Sequence, residues 1–168
     1  IDEEQKAFRS ILSVLEEQVD TYIIFTKSNA DEGGTIINSM IDEFVLNNGT
    51  FSSVFSSLGS LRYLSCVKLV DLVLGNSSSG LIEVPAMGTV TINVGDRQKG
   101  RIRSESVIDC SGVKDEIQIS IEKGLKMKVD EKDSLYGDGN TSSRVVSILK
   151  ELDIKTLHKK KFNDNIKK

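Results

Sequence analysis

Apolar residues alternate along the chain between helical spacing and short, dense runs. Over residues 2–19, Phe8, Ile11, Leu12 and Leu15 recur at helical spacing with Glu and Lys among the intervening positions, which predicts an amphipathic helix. The β-branched and aromatic run 21–26 predicts a strand, and 27–34 reads as a polar loop closed by two glycines. Helical spacing returns over 35–46 through Ile36, Ile37, Met40, Ile41 and Val45, and Asn47-Asn48-Gly49 supplies a stop. A second strand over 51–55 precedes a helix over 58–68 that carries Leu61, Leu64 and Cys66. The third strand, 70–74, is nearly continuous in apolar residues, as a strand buried on both faces should be. A short helix (81–87), strands at 89–94 and 107–110, and helices over 114–127 and 141–152 complete the series.

Strands alternating with helices specify an α/β fold: a parallel sheet covered on both sides, with right-handed connections. Ligands in such sheets bind beyond the carboxyl ends of the strands. Two unusual turns fall at such ends. The first, Gly75-Asn76-Ser77-Ser78-Ser79-Gly80, follows the third strand and opens a helix containing Glu83. A Ser/Gly turn at a helix N-terminus offers amides, hydroxyls and positive potential to an anion. With Ser79 as the cap, Glu83 lies one turn along the same face and can accept from the two hydroxyls of a ribose. Pro85 restricts this helix to a turn or a kinked segment.

The second turn, residues 95–101, carries Arg97, Gln98, Lys99 and Arg101, with Arg103 just beyond. Guanidinium groups bind phosphate oxygens in forked geometry. Arg97 stands nearest the strand end and has the stronger claim; Lys99 and Arg103 read better as a solvated basic loop. Together the two turns read as a nucleoside diphosphate site, although the first reads equally as an exposed Ser/Gly loop. Asn29 and Asp31 can touch a ligand at the first strand end, but helix capping is their commoner use. Asn140 or Thr141 reads as the cap of the last helix, and His158 lies in a polar segment.

Composition removes several function classes. The 168 residues suit one domain, taken here as 1–158 with a basic tail over 159–168. A net charge of −3 argues against a general nucleic-acid binder. No stretch approaches the roughly 18–20 apolar residues of a membrane span. One His and two distant Cys give no zinc-ligand pattern, so no metal or other cofactor is expected, and Cys66 and Cys110 read as buried free thiols of a cytoplasmic protein.

The stretches FTKSNADEGG (25–34), GNSSSGLIEVPAMGTVTINVGDRQKGR (75–101) and YGDGNTSSR (136–144) together resemble the hydrolysing UDP-N-acetylglucosamine 2-epimerases. The joint pattern GNSSSG-x-x-E and G-x-RQ-x-GR carries the resemblance. It implies a Rossmann-like, three-layer αβα domain, the C-terminal half of a glycosyltransferase-B-type two-domain fold. The implied reaction eliminates UDP to a 2-acetamidoglucal, then adds water at C1 and a proton at C2, giving N-acetylmannosamine and UDP for sialic-acid, nonulosonate or capsular polysaccharide synthesis. The resemblance assigns UDP contacts to Asn76, Ser77, Ser78, Ser79, Gly80, Glu83 and Arg97, with Asn29, Asp31, Gln98 and Arg101 as secondary candidates. It also places the acid/base residues on an N-terminal partner domain outside this chain, so no catalytic residue is expected here. A homo-oligomer is implied for the full-length protein, and neither nucleic acid nor membrane is an expected partner. Two alternatives share the architecture: the donor half of a glycosyltransferase, and a non-catalytic nucleotide-binding module.

Overall fold

A computed structural model describes residues 2–28, 32–129 and 135–152. The chain divides into two compact units, Ile1–Leu135 and Tyr136–Lys168. The first runs α1 (Asp2–Glu16), β1 (Ile23–Thr26), α2 (Glu32–Asn47), β2 (Ser52–Phe55), α3 (Gly59–Val67), β3 (Leu72–Gly75), α4 (Ser79–Ala86), β4 (Val90–Val94), β5 (Val107–Cys110) and α5 (Lys114–Leu125). The order is the one the hydrophobic pattern predicts. One local reading changes: Gly33 and Gly34 lie inside the first turn of α2 rather than ending a loop. First-turn amides have no partner within a helix, so glycine is tolerated there.

All strand pairs are parallel, but they form two sheets. One is β1–β2, with Ile23 opposite Ser52; the other has the order β3–β4–β5. In the larger sheet Leu72 pairs with Val90 and Thr91 with Val107. β4 is central and buried at every position. Val90, Ile92 and Val94 pack into one core with Ile11 and Val14 of α1 and Ile117 and Ile121 of α5. On the opposite face the Thr91 hydroxyl donates to the Gly80 carbonyl of α4 at 2.6 Å. Helices therefore cover both faces of this sheet, and β4 is the strand buried on both. The expectation for the third strand is corrected here. β3 is half-buried throughout because it sits at the outer edge of its sheet.

The smaller sheet alternates. Ile23 and Phe25 are buried while Ile24 and Thr26 are exposed. The inward pair joins Ile41 and Phe44 of α2 in a second core. Phe44 sits edge-on to Phe25 with ring centres 5.4 Å apart, and this geometry adds to area burial. Cys66 and Cys110 are free, as expected, but half-buried rather than buried.

The second unit contains α6 (Thr141–Glu151). Asn140 is its N-cap residue but forms no side-chain cap. Asp138 instead accepts the Asn140 amide at 3.0 Å and pairs with Arg144. His158 and the basic tail over 159–168 lie outside the described residues.

α5 opens with a carboxylate that reaches back. Glu116 accepts the Ser111 amide at 3.0 Å, and the Ser111 hydroxyl and amide lower its pKa from the ordinary 4.5. A depressed folded-state pKa contributes stability above the unfolded value, and that contribution is lost as pH falls through the folded value. Glu116→Gln is therefore expected to be destabilising at neutral pH and to differ less from the parent in acid. Urea midpoints of both proteins at pH 7 and about pH 3 check this. A gap of equal size at both pH values would refute it.

Candidate functional site

The register sets the site. Gly75 at the end of β3 pairs with Asn93 near the end of β4, so the segments following both strands emerge side by side. The first continues through residues 76–78 into α4. The second is the helix-free connection 95–106, which joins two parallel strands by turns alone. Gly95 and Gly100 hold φ values of +79° and +82°, a left-handed conformation that explains glycine at both ends of the G-x-RQ-x-G segment.

Two side chains tie the segments together. Gln98, only 4% exposed, donates from Nε2 to the Asn76 carbonyl at 2.7 Å. Arg97 is exposed, and its Nη1 lies 3.5 Å from Asn76 Oδ1. The guanidinium and the serine turn therefore share one side of the sheet's carboxyl end, as the two-motif reading requires.

The serines take distinct positions. Ser77 is exposed, and its hydroxyl accepts the Ser79 amide at 3.3 Å. Ser78, not Ser79, is the N-cap residue of α4, and its hydroxyl forms no cap bond. Ser79 is the first helical residue, and its hydroxyl lies 2.7 Å from Tyr63 Oη of α3. The expectation that Ser79 caps the helix is therefore corrected, because the helix begins one residue earlier than a Ser79 cap requires. The amides of Gly80, Leu81 and Ile82 are committed to carbonyls of Ser77 and Ser78. Gly80 is needed for packing as well: a Cβ there would come within 2.7 Å of Thr91 Cγ2. Glu83 is exposed one turn along α4. Burial pushes the Tyr63 phenol pKa above 10.0; the Ser79 hydrogen bond opposes this and the Glu83 charge adds to it. Pro85 sits next to the last residue of α4, and Gly88, at φ +79°, follows the Met87 C-cap.

Sequence reasoning missed Tyr63, Asn93 and Asp109, and misread Arg103. Arg103 is half-buried rather than solvated. It donates from Nη1 to the Arg101 carbonyl at 2.8 Å and from Nη2 to the Gln98 carbonyl at 3.3 Å. Its Nε lies 2.6 Å from Asp109 Oδ2, close enough for an ion pair although the N–H does not point along the contact. The other Asp109 oxygen accepts Asn93 Nδ2 at 2.6 Å. Charge alone does not reveal this linkage: Asp109 lies at the β4–β5 register position opposite Asn93, and the connection leading into β5 folds Arg103 back onto it. Lys99 does behave as an exposed residue, with a loose pair to Asp96 at 3.6 Å. Arg101 is exposed too; its carbonyl accepts from Arg103, and its amide donates to the Gln98 carbonyl at 3.3 Å. Asn29 and Asp31 lie outside the described residues. Among the described residues no cluster of three or more His, Cys, Asp or Glu could hold a metal, and no helix is long and apolar enough to cross a membrane.

A profile of the UDP-N-acetylglucosamine 2-epimerase family matches residues 1–150. Over 105 residues the chain is 43% identical to the GDP/UDP-N,N'-diacetylbacillosamine 2-epimerase (hydrolyzing) of Campylobacter jejuni, covering 62% of this chain and 27% of that protein. It is 44% identical over 109 residues to the polysialic acid biosynthesis protein P7 of Escherichia coli, covering 65% of this chain and 26% of that one. The chain thus spans about a quarter of the length of these relatives. Among solved structures, the Methanocaldococcus jannaschii UDP-GlcNAc 2-epimerase in complex with UDP-GlcNAc and UDP matches with a TM-score of 0.68 at 19% identity, over 88% of this chain and 41% of that one.

Proposed function

The chain belongs to the UDP-N-acetylglucosamine 2-epimerase family, and on that premise we propose that it is the nucleotide-binding half of a hydrolysing sugar-nucleotide 2-epimerase. The observation that carries the proposal is the approach of Arg97 to Asn76 at the carboxyl end of β3 and β4. In this reading Asn76, Ser77 and Ser78 face the diphosphate, and Arg97 balances its charge. Gly80 lets α4 lie close to the sheet. Glu83 accepts from the ribose hydroxyls, and Ser79 is held behind the turn by Tyr63. Gln98 ties the two segments together, and Arg101 adds positive charge at their rim.

The reaction assigned to the full-length polypeptide is elimination of UDP from UDP-N-acetylglucosamine, or a related 2-acetamido sugar, followed by addition of water. Charge grows on the leaving diphosphate as the C1–O bond breaks. Donors preorganised around it stabilise that state more than the ground state. The base that takes the C2 proton belongs to a partner domain preceding this nucleotide domain of residues 1–158. The working enzyme is a cytoplasmic homo-oligomer in sialic-acid, nonulosonate or capsular polysaccharide synthesis.

The test uses the full-length enzyme and UDP-N-acetylglucosamine in heavy water. Free UDP and N-acetylmannosamine deuterated at C2 are expected, because the C2 proton is removed and replaced from solvent. Transfer of the sugar to an acceptor without exchange at C2 would identify a glycosyltransferase instead.

A further inference from the structure

We propose that Arg103 is a positioning residue for nucleotide binding: it folds the 95–106 connection so that Arg97 is presented to the diphosphate, without touching the ligand itself. The inference rests on the UDP-binding reading above.

The segment that carries Arg97 is built from turns, with the Lys99 amide donating to the Asp96 carbonyl at 2.9 Å and the Arg101 amide to the Gln98 carbonyl at 3.3 Å. Gly95 and Gly100 bound it in the left-handed region, where glycine loses the most conformational freedom on ordering. Its one internal ion pair, Lys99–Asp96, is exposed and long at 3.6 Å, so it restrains little. Two anchors remain. Gln98 holds one side through the Asn76 carbonyl. Arg103 holds the other, gripping the carbonyls of Gln98 and Arg101 with its two terminal nitrogens while its Nε faces Asp109. Asp109 is itself set on β5 and bound by Asn93, which is 1% exposed on β4. A continuous polar path therefore runs from the sheet through Asp109, Arg103 and Gln98 to Asn76, and Arg97 immediately precedes Gln98 in the chain.

Both amides in this path have a determined orientation. Asn93 presents nitrogen to a carboxylate, and Gln98 presents nitrogen to a carbonyl. Rotating either amide would set oxygen against oxygen. Bridging two carbonyls beside a carboxylate requires the planar fork of Arg. A lysine ammonium carries the same charge but is a point donor. Arg103→Lys therefore separates geometry from charge.

The experiment titrates UDP into the parent chain, Arg97→Ala, Arg103→Ala, Arg103→Lys and the Arg97→Ala/Arg103→Ala double variant, with a thermal melt of each. Arg103→Ala and Arg103→Lys are each expected to weaken UDP by about tenfold, and the double variant no more than Arg97→Ala alone, because Arg103 acts through Arg97. Parent-like binding by Arg103→Lys, or losses that add in the double variant, would overturn the proposal. If Arg103→Ala does not fold, Arg103→Lys and Asp109→Asn carry the same reading. Amide hydrogen exchange over residues 96–101, measured without nucleotide, is expected to accelerate in Arg103→Lys; unchanged exchange overturns the proposal whatever UDP does. Absence of UDP binding by the parent overturns both this proposal and the function it rests on, whereas parent binding that Arg97→Ala weakens and Arg103 variants do not overturns this proposal alone.

Discussion

Arg97→Ala and Glu83→Ala are each expected to weaken UDP binding to this chain by about 1–3 kcal/mol, the range for a charge-assisted hydrogen bond removed from one partner. In the proposed site the two are expected to act on different parts of the ligand. Arg97 approaches Asn76 at the mouth of the serine turn, so its loss falls on the diphosphate. Glu83 stands one turn along α4, so its loss falls on the sugar diol. Both side chains are exposed, which leaves the fold intact when they are truncated. Their removal is therefore expected to barely move the melting midpoint. The Arg97 contribution should also shrink with added salt, as an exposed charge is screened. Calorimetric titration of UDP at low and high ionic strength reads all of this. Unchanged affinity in both variants would remove the two residues from the site.

Ile92→Ala is expected to cost about 2–5 kcal/mol of stability. Ile92 is fully buried at the centre of β4 and belongs to the core shared by α1 and α5. The space around it is already tight. A Cβ placed on Gly124 would come within 3.0 Å of Ile92 Cδ1, so α5 lies directly against this side chain. Truncation leaves a void that a central strand, laddered on both sides, cannot collapse to fill. The melting midpoint should fall by roughly 4–20 °C, at 2–4 °C per kcal/mol for a chain of this size. A midpoint within a degree of the parent would mean that β4 is not the centre of the fold.

The two predictions separate what could be read along the chain from what could not. The eleven elements were legible in order, because each has its own apolar period and its own stop. The run Val90–Val94 reads as a strand from its residues alone, yet its place at the centre of the sheet does not. Both β3 and β4 are apolar enough for that place, and only the pairing order put β4 between two neighbours and β3 at an edge. The same holds at the site. That Asn76, the serines, Glu83 and Arg97 stand at the ends of β3 and β4 was legible from the strand pattern, although such turns have many uses and the serine turn reads equally as an exposed loop. Tyr63 was not, since a tyrosine on a short amphipathic helix looks like any other core residue. Arg103 was misread for the opposite reason: a charge in a basic run looks solvated until its carboxylate partner is known.

Local chemistry alone determined the helices and strands and the two polar turns at the strand ends. These depend on residues within one or two turns of each other. Tertiary structure alone decided that Ser79 meets Tyr63, that Gln98 reaches Asn76 and that Asn93 meets Asp109. The first two partners are 16 and 22 residues apart, and all three pairings lie on different elements. Their meeting is a property of strand register and helix packing, which no local preference encodes.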